Sequence, residues 1–167
     1  MGFLKATMSQ DLDAGTVRGV EALAKNWAVF TKHFRDVYLR LDRLGHVTEN
    51  SLVATTTTSL TITRNTLKNL FPGLACHRGD QDKESKLSRI AARLVGQRIV
   101  VHGSVLFYCD TSTHCIVSLI TQGDMVTPLL QVLDNLEDVS LVFHHARINP
   151  EGNLVEGEYL DQYNLCY

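Results

Sequence analysis

Between Arg18 and Phe34 the apolar residues Val20, Leu23, Ala24, Trp27, Phe30 and Phe34 recur at helical spacing, with Arg18, Glu21, Lys25, Asn26 and Lys32 mostly opposite them. This pattern predicts an amphipathic helix, entered through a turn and cap at Gly15-Thr16. A shorter helix is expected from Gly2 to Gln10, with Phe3, Leu4 and Met8 on one side. It has no cap at its start, which fits a polypeptide that continues upstream.

The pattern then changes period. Val37, Leu39 and Leu41 alternate with Tyr38, Arg40 and Asp42, which predicts a half-buried strand over 37–44. From Asn50 to Thr63, Leu52, Ala54, Leu60 and Ile62 hold one phase, against Thr55, Thr57, Ser59, Thr61 and Thr63 in the other. Threonine is stiff at χ1 and suits a pleated surface, so this run also reads as strand. Arg64 to Phe71 allows one or two helical turns before Pro72-Gly73, and Leu74 to Ser85 reads as a polar insert. Leu87, Ile90, Ala91 and Leu94 then return to helical spacing over 87–95, ending at Gly96.

The strongest local signal lies in the second half. Two β-branched and aromatic runs, Gly96 to Cys109 and His114 to Met125, meet across the polar turn Asp110 to Thr113. They predict a long antiparallel hairpin. Thr127-Pro128 reads as an N-cap with proline at the first helical position, opening a helix to Leu133. A further helix is expected over 136–146, with Glu137 and Asp138 in its first turn and His144 and His145 in its last, as the macrodipole favours. Residues 148–167 contain Pro150, Gly152 and Gly157 and little periodicity. The expected organisation is one domain over 1–147 and a C-terminal tail over 148–167.

Length, charge and cysteines narrow the function classes. A chain of 167 residues suits one core that needs no staples. A formal net charge of −2, without a basic cluster, argues against nucleic-acid binding by this segment. Cys76, Cys109, Cys115 and Cys166 lack Cys-x-x-Cys spacing and read as reduced thiols of an intracellular, soluble protein. No run reaches membrane-spanning length. His144 and His145 are adjacent on a helix and diverge by about 100°, and His33 is remote in sequence, so neither metal nor cofactor is expected.

The order of helices, hairpin, insert and closing hairpin resembles the nuclear transport factor 2-like fold, in particular its SnoaL-like branch. The residues that carry this likeness are Gly19, Val20, Glu21, Ala22, Leu23 and Trp27 in a G-x-E-A-L-x-x-x-W pattern, with Gly103, Phe107, Ile116 and Asp124 in the closing hairpin. The fold so implied is α+β, a cystatin-like roll in which a strongly bent antiparallel sheet wraps N-terminal helices to form a cone with one pocket. The phrases FLKATMSQDL, SLVATTTTSLTITRNTLKNLFP, LVGQRIVVHGSVLF and GDMVTPLLQVLDNLEDVSLVF are similar to the domain that follows the basic-leucine-zipper region in a large oomycete family of transcription-factor-like proteins. That resemblance implies a regulatory or ligand-sensing module of a dimeric DNA-binding protein, nuclear if joined to such a region. The chain itself holds no basic region and no leucine heptads.

Residue by residue, the SnoaL-like resemblance makes Asp124 the candidate acid-base group, since a carboxylate near the end of this strand faces the pocket in such enzymes. Burial there would raise its pKa. The competing role is a cap for the helix that starts around Met125 to Pro128. Trp27, Phe30, Phe107 and Asp124 form the expected pocket set, with simple core packing as the alternative for Trp27 and Phe30. Strand alternation sets His102, Ser104, Leu106 and Tyr108 against Val101, Gly103, Val105, Phe107 and Cys109. Ser104, Leu106 and Tyr108 are therefore expected to point outward as a homodimer face.

The leading expectation is a non-catalytic module that homodimerises and binds a small hydrophobic ligand. One alternative is a SnoaL-like isomerase, cyclase or dehydratase acting on a small hydrophobic carbonyl compound through Asp124. Another is a pure interaction scaffold, which would have a filled cone. Fold alone does not choose among them.

Overall fold

The computed structural model of the chain describes residues 2–74 and 81–155, apart from the side chain of Glu84. Its elements are α1 (Gly2–Thr7), β1 (Met8–Asp13), α2 (Val20–His33), β2 (Arg35–Thr48), β3 (Ser51–Thr61), α3 (Arg64–Leu70), a 3-10 turn at Pro72–Leu74, α4 (Gln81–Leu94), β4 (Arg98–Asp110), β5 (Cys115–Gly123), α5 (Val126–Leu133) and α6 (Leu136–Phe143). The strands form one sheet in the order β1-β5-β4-β3-β2. The β2–β3, β3–β4 and β4–β5 pairs are antiparallel, while β1 lies parallel to β5. The fold is thus α+β, with a mixed sheet where a purely antiparallel one was expected.

The parallel edge strand comes from residues whose pattern predicted the end of a helix. Met8 to Asp13 leaves α1 and pairs with β5, and Leu12 becomes fully buried beside Val20 and Leu119. Helical pattern over so few residues is a weak prior, and this tertiary pairing outweighs it. Gly19, at φ 89, then caps α2, with its N–H bonded to the Leu12 carbonyl. A side chain is strained at that φ.

Register fixes which side of the sheet each residue serves. Leu52, Ala54, Thr56, Thr58 and Leu60 of β3 pair with Phe107, Val105, Gly103, Val101 and Ile99 of β4, and together they form the inner face. Shifts in register within β2 at three places, and at Tyr108/Cys109, mark the bulges that bend the sheet. Gly103 permits the tight curve. A Cβ there would lie 2.5 Å from the Gln122 carbonyl oxygen of β5, closer than any side chain is accommodated.

The helices after β3 close one end of this inner face. α3 opens with a capping box in which Thr63 and Thr66 each bond the other's backbone N–H. The α4 helix begins at Gln81, so residues 81–85 of the expected polar insert are helical. Lys86 of α4 meets Glu137 at 2.8 Å and the buried Asp138 at 3.4 Å, tying α4 to α6. Leu67, Leu70, Phe71, Ile90, Leu94, Leu129, Leu133 and Val142 fill the main core above Leu60, Ile62 and Ile99.

Two boundaries differ from the sequence expectation for a common reason. The α6 helix ends at Phe143; His144 is extended and His145 takes φ 58, instead of forming a last helical turn. The backbone must turn there to cross the Pro72–Leu74 turn, where a Cβ on Gly73 would lie 2.2 Å from the His144 carbonyl oxygen, and to bring the Arg147 N–H to the Leu70 carbonyl. The chain then runs back over the sheet end. Ile148 and Leu154 bridge to each other and are buried in the main core, so 148–155 packs as part of the domain and not as a tail. Residues 156–167, the rest of the expected tail, lie outside the described residues.

Candidate functional site

A cavity of about 140 Å³ lies between α2 and the inner face of the sheet. Leu23, Asn26, Trp27 and Phe30 of α2 line it on one side, at helical spacing along one face of the helix. Thr56, Thr58 and Leu60 of β3, Val101 and Gly103 of β4, and Thr121 of β5 line the other. The returning segment supplies Gly152, Asn153 and Leu154 at the end of the cavity. That segment is held by N–H bonds from Gly123 to the Glu151 carbonyl (2.8 Å) and from Met125 to the Pro150 carbonyl (3.0 Å), and by the Asn153 amide on the Thr121 carbonyl (3.1 Å).

Trp27 and Phe30 therefore both face the cavity. Their rings stack at 5.5 Å with an interplanar angle of 11°, and Phe30 packs in turn on Phe34 at 4.9 Å. Trp27 is 46% exposed, which puts it at the mouth and not in the core. Phe107 shares the inner face but lies apart from the cavity, packed against the Leu12, Val20 and Leu119 cluster.

Asp124 lies outside the cavity lining. Its carboxylate accepts the Thr127 N–H at 3.0 Å and the Thr127 hydroxyl at 2.6 Å, which caps the start of α5. The Thr127 hydroxyl, then its N–H, hold the carboxyl below its ordinary pKa, the opposite of what a buried pocket acid requires. Thr127 is consequently the first-turn partner of the cap, three residues after Asp124, and not the cap itself, and α5 begins at Val126. Among the described residues that line the cavity the one titratable side chain belongs to Glu151, which is exposed.

The outer face of the sheet carries Tyr38, Val53, Val100, Leu106, Tyr108 and Ile120 around a polar row. In that row the Arg40 guanidinium donates to Asp42 at 2.6 Å, Thr57 donates to the other Asp42 oxygen, and the Thr57 hydroxyl lies 3.2 Å from Nδ1 of His102. Thr57, then Arg40, hold the Asp42 carboxyl below its ordinary pKa. Ser104, Leu106 and Tyr108 all belong to this outer face, with Tyr108 the most exposed of the three. Cys109 and Cys115 are free and sit one register position apart, since Cys109 opposes Ile116; Cys76 and Cys166 lie outside the described residues. Among the described residues no His, Cys, Asp and Glu cluster is arranged to hold a metal, and no helix is long and apolar enough to cross a membrane.

Beyond Trp27 and Phe30 the lining was not foreseen, and Thr56, Thr58, Thr121 and the 152–154 segment are its polar and loop-borne part. Thr56 and Thr58 leave a readable trace. They occupy the phase of β3 that is otherwise apolar, between Ala54 and Leu60, where hydroxyls have no reason to be unless that stretch of wall is left unpacked.

This architecture is that of the nuclear transport factor 2-like, SnoaL-like fold. A SnoaL-like polyketide cyclase from Agrobacterium tumefaciens strain C58 superposes with a TM-score of 0.52 at 13% identity, over 78% of this chain and 84% of that one. A protein from Jannaschia sp. CCS1 described as a SnoaL-like polyketide cyclase gives 0.50 at 13% identity, over 78% and 76%. Identities this low establish shared fold alone. Residues 1–33 match the family described as BZIP transcription factor 1 C-terminal domain. No curated protein matches the chain.

Proposed function

We propose that this chain is a non-catalytic module of a transcription regulator, one that homodimerises through the outer face of its sheet and holds a small apolar ligand in its cavity. The observation that carries the reading is the character of the cavity. It is open and largely apolar, and the carboxylate best placed in sequence for acid-base work, Asp124, is committed to a helix cap outside it. General acid-base catalysis needs a titratable group within hydrogen-bond reach of the reacting atoms. The link to transcription rests on the match of residues 1–33 and on the phrases quoted above.

The dimer arm is supported by the composition of the outer face, where Val100, Tyr108 and Ile120 are each more than 40% exposed beside Ser104 and Thr57. Aromatic and aliphatic groups interleaved with hydroxyls are the usual make-up of an interface core. Native mass spectrometry of the purified protein tests both arms together. The expected result is a dimer mass that carries retained small-molecule mass, and a Tyr108→Glu variant that is folded and monomeric. A wild-type protein that is monomeric at every concentration refutes the dimer, and a variant that dimerises normally moves the interface off this face.

A further inference from the structure

We infer that the cavity selects a neutral, single-ring compound bearing one hydroxyl or carbonyl group, a deduction that rests on the ligand-binding reading above and goes on to name the chemistry. Three features of the wall define the occupant.

The first is size. At about 140 Å³ the space matches an apolar cavity of about 150 Å³ known to take up benzene, so one six-membered ring with a small substituent fills it. A fused bicycle would either project through the mouth past Trp27, leaving apolar surface in water, or displace Leu60 and Val101, which are buried and packed into the main core.

The second is charge. Among the described residues no lysine, arginine or histidine lines the cavity, and the one acidic residue there, Glu151, is exposed. A carboxylate placed between Leu23, Phe30, Leu60 and Val101 would lose its hydration with no cation to replace it, and an ammonium there would have only the exposed Glu151 to pair with, which returns little of the desolvation cost.

The third is the pair of threonines. Thr56 and Thr58 lie two residues apart on β3 with both side chains on the inner face, and among the described residues neither hydroxyl is engaged by another protein group. Each can donate and accept, so the pair serves a ligand hydroxyl or carbonyl equally well. A cavity that only needed to be apolar would carry valine at both places at no cost to the strand.

Trp27 makes this testable without a label, because it is the only tryptophan of the chain and it lies at the cavity mouth. Its emission would be titrated with three optically silent probes: cyclohexanol, cyclohexanecarboxylate and 2-decalol. The expected result is a saturable shift with cyclohexanol and binding at least about tenfold weaker for the other two. The Thr56→Val/Thr58→Val double variant should keep its thermal midpoint and bind cyclohexanol about 2- to 12-fold more weakly for each hydroxyl the ligand engages. If the carboxylate or the fused-ring alcohol binds as tightly as cyclohexanol, the selectivity proposed here is overturned while ligand binding itself stands. If the double variant binds cyclohexanol as well as wild type, the threonines have no part in recognition. If no probe gives a saturable shift, the ligand-binding reading fails along with its refinement.

Discussion

The inner face of the sheet is finished in opposite ways at its two ends. At one end α3, α4, α5 and α6 bring Leu67, Ile90, Leu129 and Val142 into one buried core with Leu60, Ile62 and Ile99. At the other end α2 spans the sheet beside the short α1, a smaller buried cluster of Leu12, Val20 and Leu119 packs there, and the cavity lies between α2 and the sheet. The contrast is one of helix count over a shared surface. Four helices can meet a curved sheet with complementary ridges, whereas one straight helix over a concave sheet touches it at its ends and leaves a gap in the middle. The buried core and the cavity thereby fall at different ends of one face.

That division predicts unequal responses to truncation. Leu129→Ala removes a fully buried side chain from the packed end and should cost about 3 to 5 kcal/mol, read from the shift in denaturant midpoint. Trp27→Ala removes a larger side chain, but one that is 46% exposed beside existing empty space. It should cost about 1.5 to 2.5 kcal/mol, roughly half the usual loss for a buried aromatic. A Trp27 variant as damaging as the Leu129 variant would show that the open end bears as much of the fold as the packed one.

The two ends were also unequally legible in the sequence. The closing hairpin, the amphipathic α2 and the alternation of β3 follow from local period, because each gathers its apolar residues on one face. What period misses is set by contacts distant in sequence. β1 is a strand only because β5 offers it an edge, and the 148–155 segment is ordered by bonds to Gly123, Met125 and Arg147 backbone groups. In β2 the alternation of Leu39 and Leu41 marks the inner phase correctly, since they pair with Thr58 and Thr56. Both leucines nonetheless remain about half exposed, at 49% and 57%, because β2 is the edge strand and no helix reaches over them. The four residues expected together are placed apart for the same reason: Trp27 and Phe30 share one face of α2 and lie along the cavity, whereas the positions of Phe107 and Asp124 depend on where the cavity falls along the sheet.

The smallest expected effect lies at the junction of the two ends, where Asp124 hands β5 over to α5. As a cap, Asp124→Ala should cost about 0.5 to 2 kcal/mol and Asp124→Asn only a few tenths, since asparagine accepts the Thr127 N–H nearly as well. The pH dependence separates this role from that of a cavity acid. The Thr127 hydroxyl and N–H bind the ionised carboxylate, so its folded pKa lies below the unfolded value near 3.9. Its stabilising contribution is then fully present above the unfolded pKa and is lost as pH falls through the folded one. Wild type should therefore hold its midpoint relative to Asp124→Asn from pH 5 to 8 and lose ground to that variant only below about pH 4. A carboxylate buried in the cavity would behave in the reverse sense, with wild type weakening as pH rises from 5 to 8 and the asparagine variant spared. Paired denaturation curves across that range decide between them, and a decline toward pH 8 confined to wild type would put an acid-base group back at the open end of the sheet.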